Sequence, residues 1–137
     1  MANSTYAKFL QALGEGSIDL SSGTFKIALV DTGTYTADVS DTGDEFLSDL
    51  SGVLETATLA TPTWVNRIFD ADDFVGNFPD SGGGATGEAL VIYKDTGVAG
   101  TSPLILYLDT VTGLPITLDG TPDSLTFNAS GIYKLGA

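Results

Sequence analysis

Ala89-Leu-Val-Ile-Tyr-Lys-Asp-Thr-Gly97 and Thr101-Ser-Pro-Leu-Ile-Leu-Tyr-Leu-Asp109 decide the fold. Each carries a dense apolar run, at 89–93 and 104–109, and the Gly and Thr of 95–102 separate them. Short apolar runs bounded by turn signals and rich in β-branched and aromatic residues read as central strands joined by a hairpin loop.

Upstream, Phe25, Ile27 and Leu29 alternate with Lys26, Ala28 and Val30 ahead of the turn residues Asp31-Thr32-Gly33, giving another strand. The segments 55–59 and 63–69 are two more strand candidates, broken by Pro62. Residues 116–118, 125–127 and 132–135 close the chain as three short strands. In 42–45, acids precede Phe46, Leu47 and Leu50, as suits the positive end of one helical turn. Near the start, Tyr6, Phe9, Leu10 and Leu13 fall at i, i+3, i+4 and i+7, which is one helical face. Ser4 or Thr5 can cap that helix and Gly14 can end it, predicting a helix at about 5–13. Two turns do not hold themselves in water, so the face must dock on the chain's own sheet or on a neighbouring subunit. The stretch 70–87, with five Gly, one Pro and four Asp, reads as a long loop. With 18 Thr and 17 Gly and turn signals at short intervals, the pattern predicts a mainly β protein. The expected architecture is a small β-sandwich, jelly-roll-like, with a short N-terminal helix, forming one domain over 1–137.

Composition narrows function by exclusion. The 137 residues carry 18 Asp and Glu against 5 Lys and Arg, a net charge of −13, with no His and no Cys. Without Cys there are no disulfides or thiol nucleophiles, and without His the usual serine triad and most transition-metal sites are gone. Such acidity opposes nucleic acid and anionic membranes, both of which are held through Lys and Arg. No positive stretch followed by an apolar run marks a secretory signal, so a protein retained without export is expected.

Several motifs invite chemistry. Gly82, Gly84 and Gly87 spell G-x-G-x-x-G, but a strand rather than a helix follows, and Glu88 stands where a P-loop needs Lys. A flexible loop is the better reading. Asp38, Ser40, Thr42, Gly43 and Asp49 have calcium-loop spacing, yet Ser and Thr replace the usual ligands and Asp replaces the bidentate Glu. Asp70, Asp72 and Asp73 form a second acidic cluster, with Phe74 and Val75 where a ligand and a Gly belong. Paired carboxylates can serve a glycosidase, but a solvated acidic surface accounts for them more simply. Tyr93 and Tyr107, if exposed, could serve an interface or stack on a sugar ring; packing against the core is the commoner use of such residues. No catalytic residue, metal site or cofactor is expected.

The runs 6–10, 18–30, 89–97 and 101–109, taken with the Glu45-Phe-Leu-Ser-Asp49 turn, resemble a family of small structural proteins of tailed bacteriophages. The resemblance implies a capsid decoration, or cement, protein: a rigid β-domain on the outer surface of the phage head, made in the host cytoplasm. It further implies the major capsid protein as partner and a homo-oligomer, dimer or trimer, with no catalytic residues to carry over. A tail or fibre adhesin binding a host-surface glycan is the alternative. Candidate contact residues for the capsid or a sister subunit are Tyr6, Phe9, Leu10 and Leu13 on the helix, with Asp72, Phe74, Val75, Phe78 and Pro79 in the 70–87 stretch. Phe74 and Phe78 in a flexible acidic loop would require a partner to cover them.

Overall fold

A computed structural model describes residues 3–136. The protein is a small β-sandwich with one short helix, mainly β as the sequence predicts. Strand β1 (Ser4–Thr5) leads into helix α1 (Ala7–Glu15) and β2 (Thr24–Val30). There follow β3 (Val53–Thr58), β4 (Thr63–Val65), β5 (Ile68–Asp70), β6 (Phe74–Phe78), β7 (Thr86–Gly87) and β8 (Ala89–Asp95). The chain closes with β9 (Leu104–Leu108), β10 (Ile116–Thr117), β11 (Asp123–Leu125) and β12 (Tyr133–Lys134).

The main sheet has the order β1-β9-β8-β2-β3, and every pairing in it is antiparallel. Strands β8 and β9 form the hairpin that the two apolar runs predict, and β8 sits at the sheet's centre. Ala89 to Tyr93 are all buried, as is every residue of β9. A strand buried at consecutive positions needs cover on both faces, because successive side chains point to opposite sides. Part of that cover comes from three smaller antiparallel sheets, β10-β7, β11-β6 and β12-β5-β4. Phe25 of β2 packs on Phe69 of β5 with ring centroids 5.0 Å apart, and Gly87 of β7 lies so close to Leu29 that a Cβ there would run into the leucine side chain. Phe25, Ile27 and Leu29 share one face of β2, so β5 and β7 lie over that face.

The helix begins two residues later than the periodicity suggests. Ser4 and Thr5 do not cap it; they pair with Tyr107 and Leu106 at the edge of β9, and Tyr6 becomes the residue before the first turn. Nor does Gly14 end it. Gly16 does, in the left-handed region at φ 74° with its N–H on Leu13 O. The stretch 63–69 is not one strand but a hairpin, since Asn66 and Arg67 both take positive φ, 54° and 68°, in the manner of a type I′ turn.

The 70–87 stretch is not a long loop. It contains β6 and β7, and β6 pairs with β11 from Asp123↔Phe78 to Leu125↔Phe74. Gly and Asp mask this strand in the sequence, whereas Phe74 and Phe78 build it by packing edge-to-face at 5.2 Å, with Phe127 6.3 Å from Phe74. The closing strands also shift: 125–127 becomes Asp123–Leu125 and 132–135 contracts to Tyr133–Lys134.

Gly87→Ala is expected to lower stability by about 1–3 kcal/mol, because the added methyl must displace Leu29 in a filled core. Gly100→Ala, with open space around its Cα, should stay within about 0.5 kcal/mol. Denaturant midpoints of the two variants check the contrast.

Candidate functional site

The predicted contact residues divide by burial. Tyr6 and Phe9 are fully buried in the chain's own core, and Leu13 packs partly against it, whereas Leu10 is 43% exposed. The helix therefore docks mainly on its own sheet, the intramolecular of the two alternatives. Phe9 meets Tyr133 edge-on at 6.0 Å, and the Tyr6 hydroxyl lies 2.8 Å from that of Tyr35, which donates to Asp44 Oδ2 at 2.6 Å. Burial pushes the Tyr6 and Tyr35 hydroxyls well above the ordinary tyrosine range, so both stay neutral. Phe74 and Phe78 are likewise buried, which corrects their reading as exposed contacts. On that strand Val75, 82% exposed, faces solvent, and Asp72 and Pro79 are exposed beside it. Tyr93 and Tyr107 are buried and belong to the core.

The acids are committed to turns. Asp19, Asp31, Asp38, Asp80, Asp95 and Asp119 each accept the backbone N–H two residues ahead, from Ser21, Gly33, Ser40, Gly82, Gly97 and Thr121. Carboxylates close loops in this way by imitating the carbonyl of a β-turn. Asp38 also takes the Ser40 hydroxyl, and Asp49 takes the N–H groups of Glu45 and Phe46. These bonds hold the Asp38 and Asp49 carboxyls below the usual range. The two acids with calcium-loop spacing are thus each occupied by the backbone of their own turn. Gly43 is required there because a Cβ would collide with the Asp38 carbonyl. In the second acidic stretch, Asp72 accepts the Thr61 hydroxyl and Asp73 accepts Phe127 N–H. Gly82 and Gly84 take positive φ in turns, and Gly84 N–H donates to Leu118 O, so no helix N-terminus forms after them.

Sequence reading misses one convergence. Asp80, Asp119 and Asp123 bring carboxylate oxygens within 4.8 Å of one another. Asp80 Oδ1 accepts Gly82 and Gly120 N–H, both at 2.9 Å, and its Oδ2 accepts Asp119 N–H at 3.2 Å. Burial would raise the Asp80 carboxyl, but the N–H groups of Gly120, Gly82 and Asp119, with Asp123 beside it, outweigh that and bring it down to about 2. Asp123 moves the other way, up to about 6, through burial, its hydrogen bond with Asp80, and the charges of Asp80 and Asp119. The proton that one of two adjacent carboxyls takes up is therefore held on Asp123, which donates it toward the Asp80 carboxylate. The local signals, Asp80-x-Gly82 and Asp119-Gly120, read as turns, and only the fold joins them. No family model, no curated protein and no solved structure matches the chain.

The pair makes stability pH-dependent in two directions. Asp123, raised in the fold, contributes stability that is fully present below its ordinary value of 3.8 and is lost as pH rises through about 6. Asp80, depressed, contributes stability that is present above 3.8 and is lost as pH falls through about 2. Thermal midpoints should therefore rise between pH 7 and pH 5. Asp123→Asn, which keeps a donor toward Asp80 without the charge, should raise the midpoint at pH 7 and remove most of that rise. A variant that retains the full rise would contradict the assignment.

Proposed function

We propose that this protein is a non-catalytic structural component of a tailed-bacteriophage particle, a decoration protein. It binds the outside of the assembled head and stabilises contacts between major capsid subunits. The resemblance carried by 6–10, 18–30, 89–97 and 101–109 introduces the reading. What supports it in the structure is the employment of the acids: Asp after Asp closes a turn on a backbone N–H, giving a β-domain with pinned loops. A pinned surface loses little conformational freedom when it docks on a shell. The charge of −13 keeps such a protein away from packaged nucleic acid by repulsion.

On this reading the protein is made in the host cytoplasm, joins the completed head, and associates with sister copies as a dimer or trimer. Contact falls to the exposed members of the predicted set, Leu10, Asp72, Val75 and Pro79. The glycan-binding adhesin draws less support, since the aromatic pair it would use, Tyr93 and Tyr107, is buried.

Particles lacking the protein should burst at a lower temperature than complete ones, and adding it back should restore the difference. Identical burst temperatures would refute the proposal. Val75→Asp should leave the thermal midpoint of the isolated protein within about 3 °C, since an exposed site contributes little to folding. The same change should reduce incorporation into heads, as counted by gel densitometry of purified particles.

A further inference from the structure

Strand β3 (Val53–Thr58) ends the main sheet, and its strand partner is β2. Leu59 N–H donates to Phe25 O at 2.9 Å, so the pairs 27/57 and 29/55 face each other through their main-chain groups. Thr56 and Thr58 then direct their N–H and C=O away from β2, and both residues are exposed. Among the described residues no other strand pairs with them.

Exposed edges are usually blunted by Lys, by Pro, by a β-bulge, by an inward-pointing charge or by a covering segment. Val53-Leu-Glu-Thr-Ala-Thr58 contains neither Lys nor Pro, and the bulge at Leu54 and the charge of Glu55 both precede Thr56, so the edge is regular and open over 56–58.

The charge beside this edge has one sign. Glu55 Oε1 accepts Ser81 N–H at 3.1 Å, which brings the segment holding Asp80, and with it Asp119 and Asp123, against the middle of β3. Lys26, opposite Thr58, is 3.5 Å from Asp95 and already paired. No Lys or Arg occurs between Lys26 and Arg67.

We propose that the outer edge of β3 takes an extended, Lys- or Arg-bearing segment of another protein as an added strand. Main-chain bonds to Thr56 and Thr58 supply the pairing. Alternate residues of the guest fall on the face of Glu55, where their cations meet the carboxylates of Glu55, Asp80, Asp119 and Asp123. The intervening residues lie on the face of Val53, Thr56 and Thr58, which suits small apolar side chains. A second copy of this chain fits less well, because it would bring another −13 and another Glu55 to the same edge. The inference stands apart from the decoration reading: the guest segment belongs to whichever protein presents it, and failure to find this protein on a head would leave it intact.

The test uses the full chain and a synthetic peptide of about ten residues alternating Lys and Val, long enough to span a strand. Affinity is measured by calorimetry and the site by amide shifts. The expected result is binding that perturbs 53–58, weakens with salt, and drops at least about tenfold when alternate peptide amides are N-methylated, which removes donors but no charge. Thr56→Pro should abolish the same binding, because its outward N–H is not used by β2 and proline is tolerated there. If that variant does not fold, the N-methylated peptide tests the same main-chain bonds on the unaltered protein. Three results would each overturn the proposal: no binding at millimolar peptide, binding indifferent to N-methylation, or perturbation away from β3. Concentration-dependent pairing of the protein with itself through β3 would assign the edge to a second copy instead.

Discussion

Everything in this fold answers to the burial of β8 on both of its faces. Ala89 to Tyr93 are five successive buried residues in the centre of a sheet, so water must be kept from both sides at once. A chain of 137 residues that spends its best strands on one sheet has only short pieces left with which to cover it. Strands of two or three residues, such as β7, β10 and β12, have no stability of their own. They persist because Gly87 seats on Leu29 and because Phe69, the partner of Tyr133 across the β5–β12 pairing, stacks on Phe25. The helix is bound by the same demand, which is why Tyr6 and Phe9 point inward and leave Leu10 outside.

The second organising element is the carboxylate turn. A surface stitched from short strands needs many reversals, and here Asp closes them by accepting the N–H two residues on. The acidity that first reads as a set of excluded functions is therefore largely a consequence of how the loops are built. It has a cost where loops meet. Asp80, Asp119 and Asp123 are each adjacent to a turn, and the fold brings the turns together, so one carboxyl is driven up while its neighbour is driven down. The field they create lies beside Glu55, so the turn chemistry also sets the charge beside the outer edge of β3.

Much of this was legible in the residues. Alternation at 25–30 and apolar density at 89–93 and 104–109 mark β2, β8 and β9 because buried central strands leave a strong local pattern. The helix at 7–15 was legible in kind but not in its bounds, since Ser4 and Thr5 answer to Tyr107 and Leu106 at the edge of β9, far away along the chain. Strand β6 was not legible: in Phe74-Val-Gly-Asn-Phe78 the apolar residues do not alternate, Gly76 and Asn77 interrupt them, and the two phenylalanines are four residues apart, a spacing that suits a strand or a helix. The same two phenylalanines looked exposed only because the segment looked like a loop. The Asp80, Asp119 and Asp123 convergence leaves no local mark beyond ordinary turn residues, and no reading of spacing along the chain could have joined them.

Native-state hydrogen exchange tests most directly whether the doubly covered sheet is what holds the domain together. The amides of Ile27, Val91 and Leu106 are expected to exchange most slowly and only through global unfolding, with the amides of β4, β5, β10 and β12 opening at lower free energy. Slowest exchange in the small sheets, or a central sheet that opens while they stay closed, would contradict it.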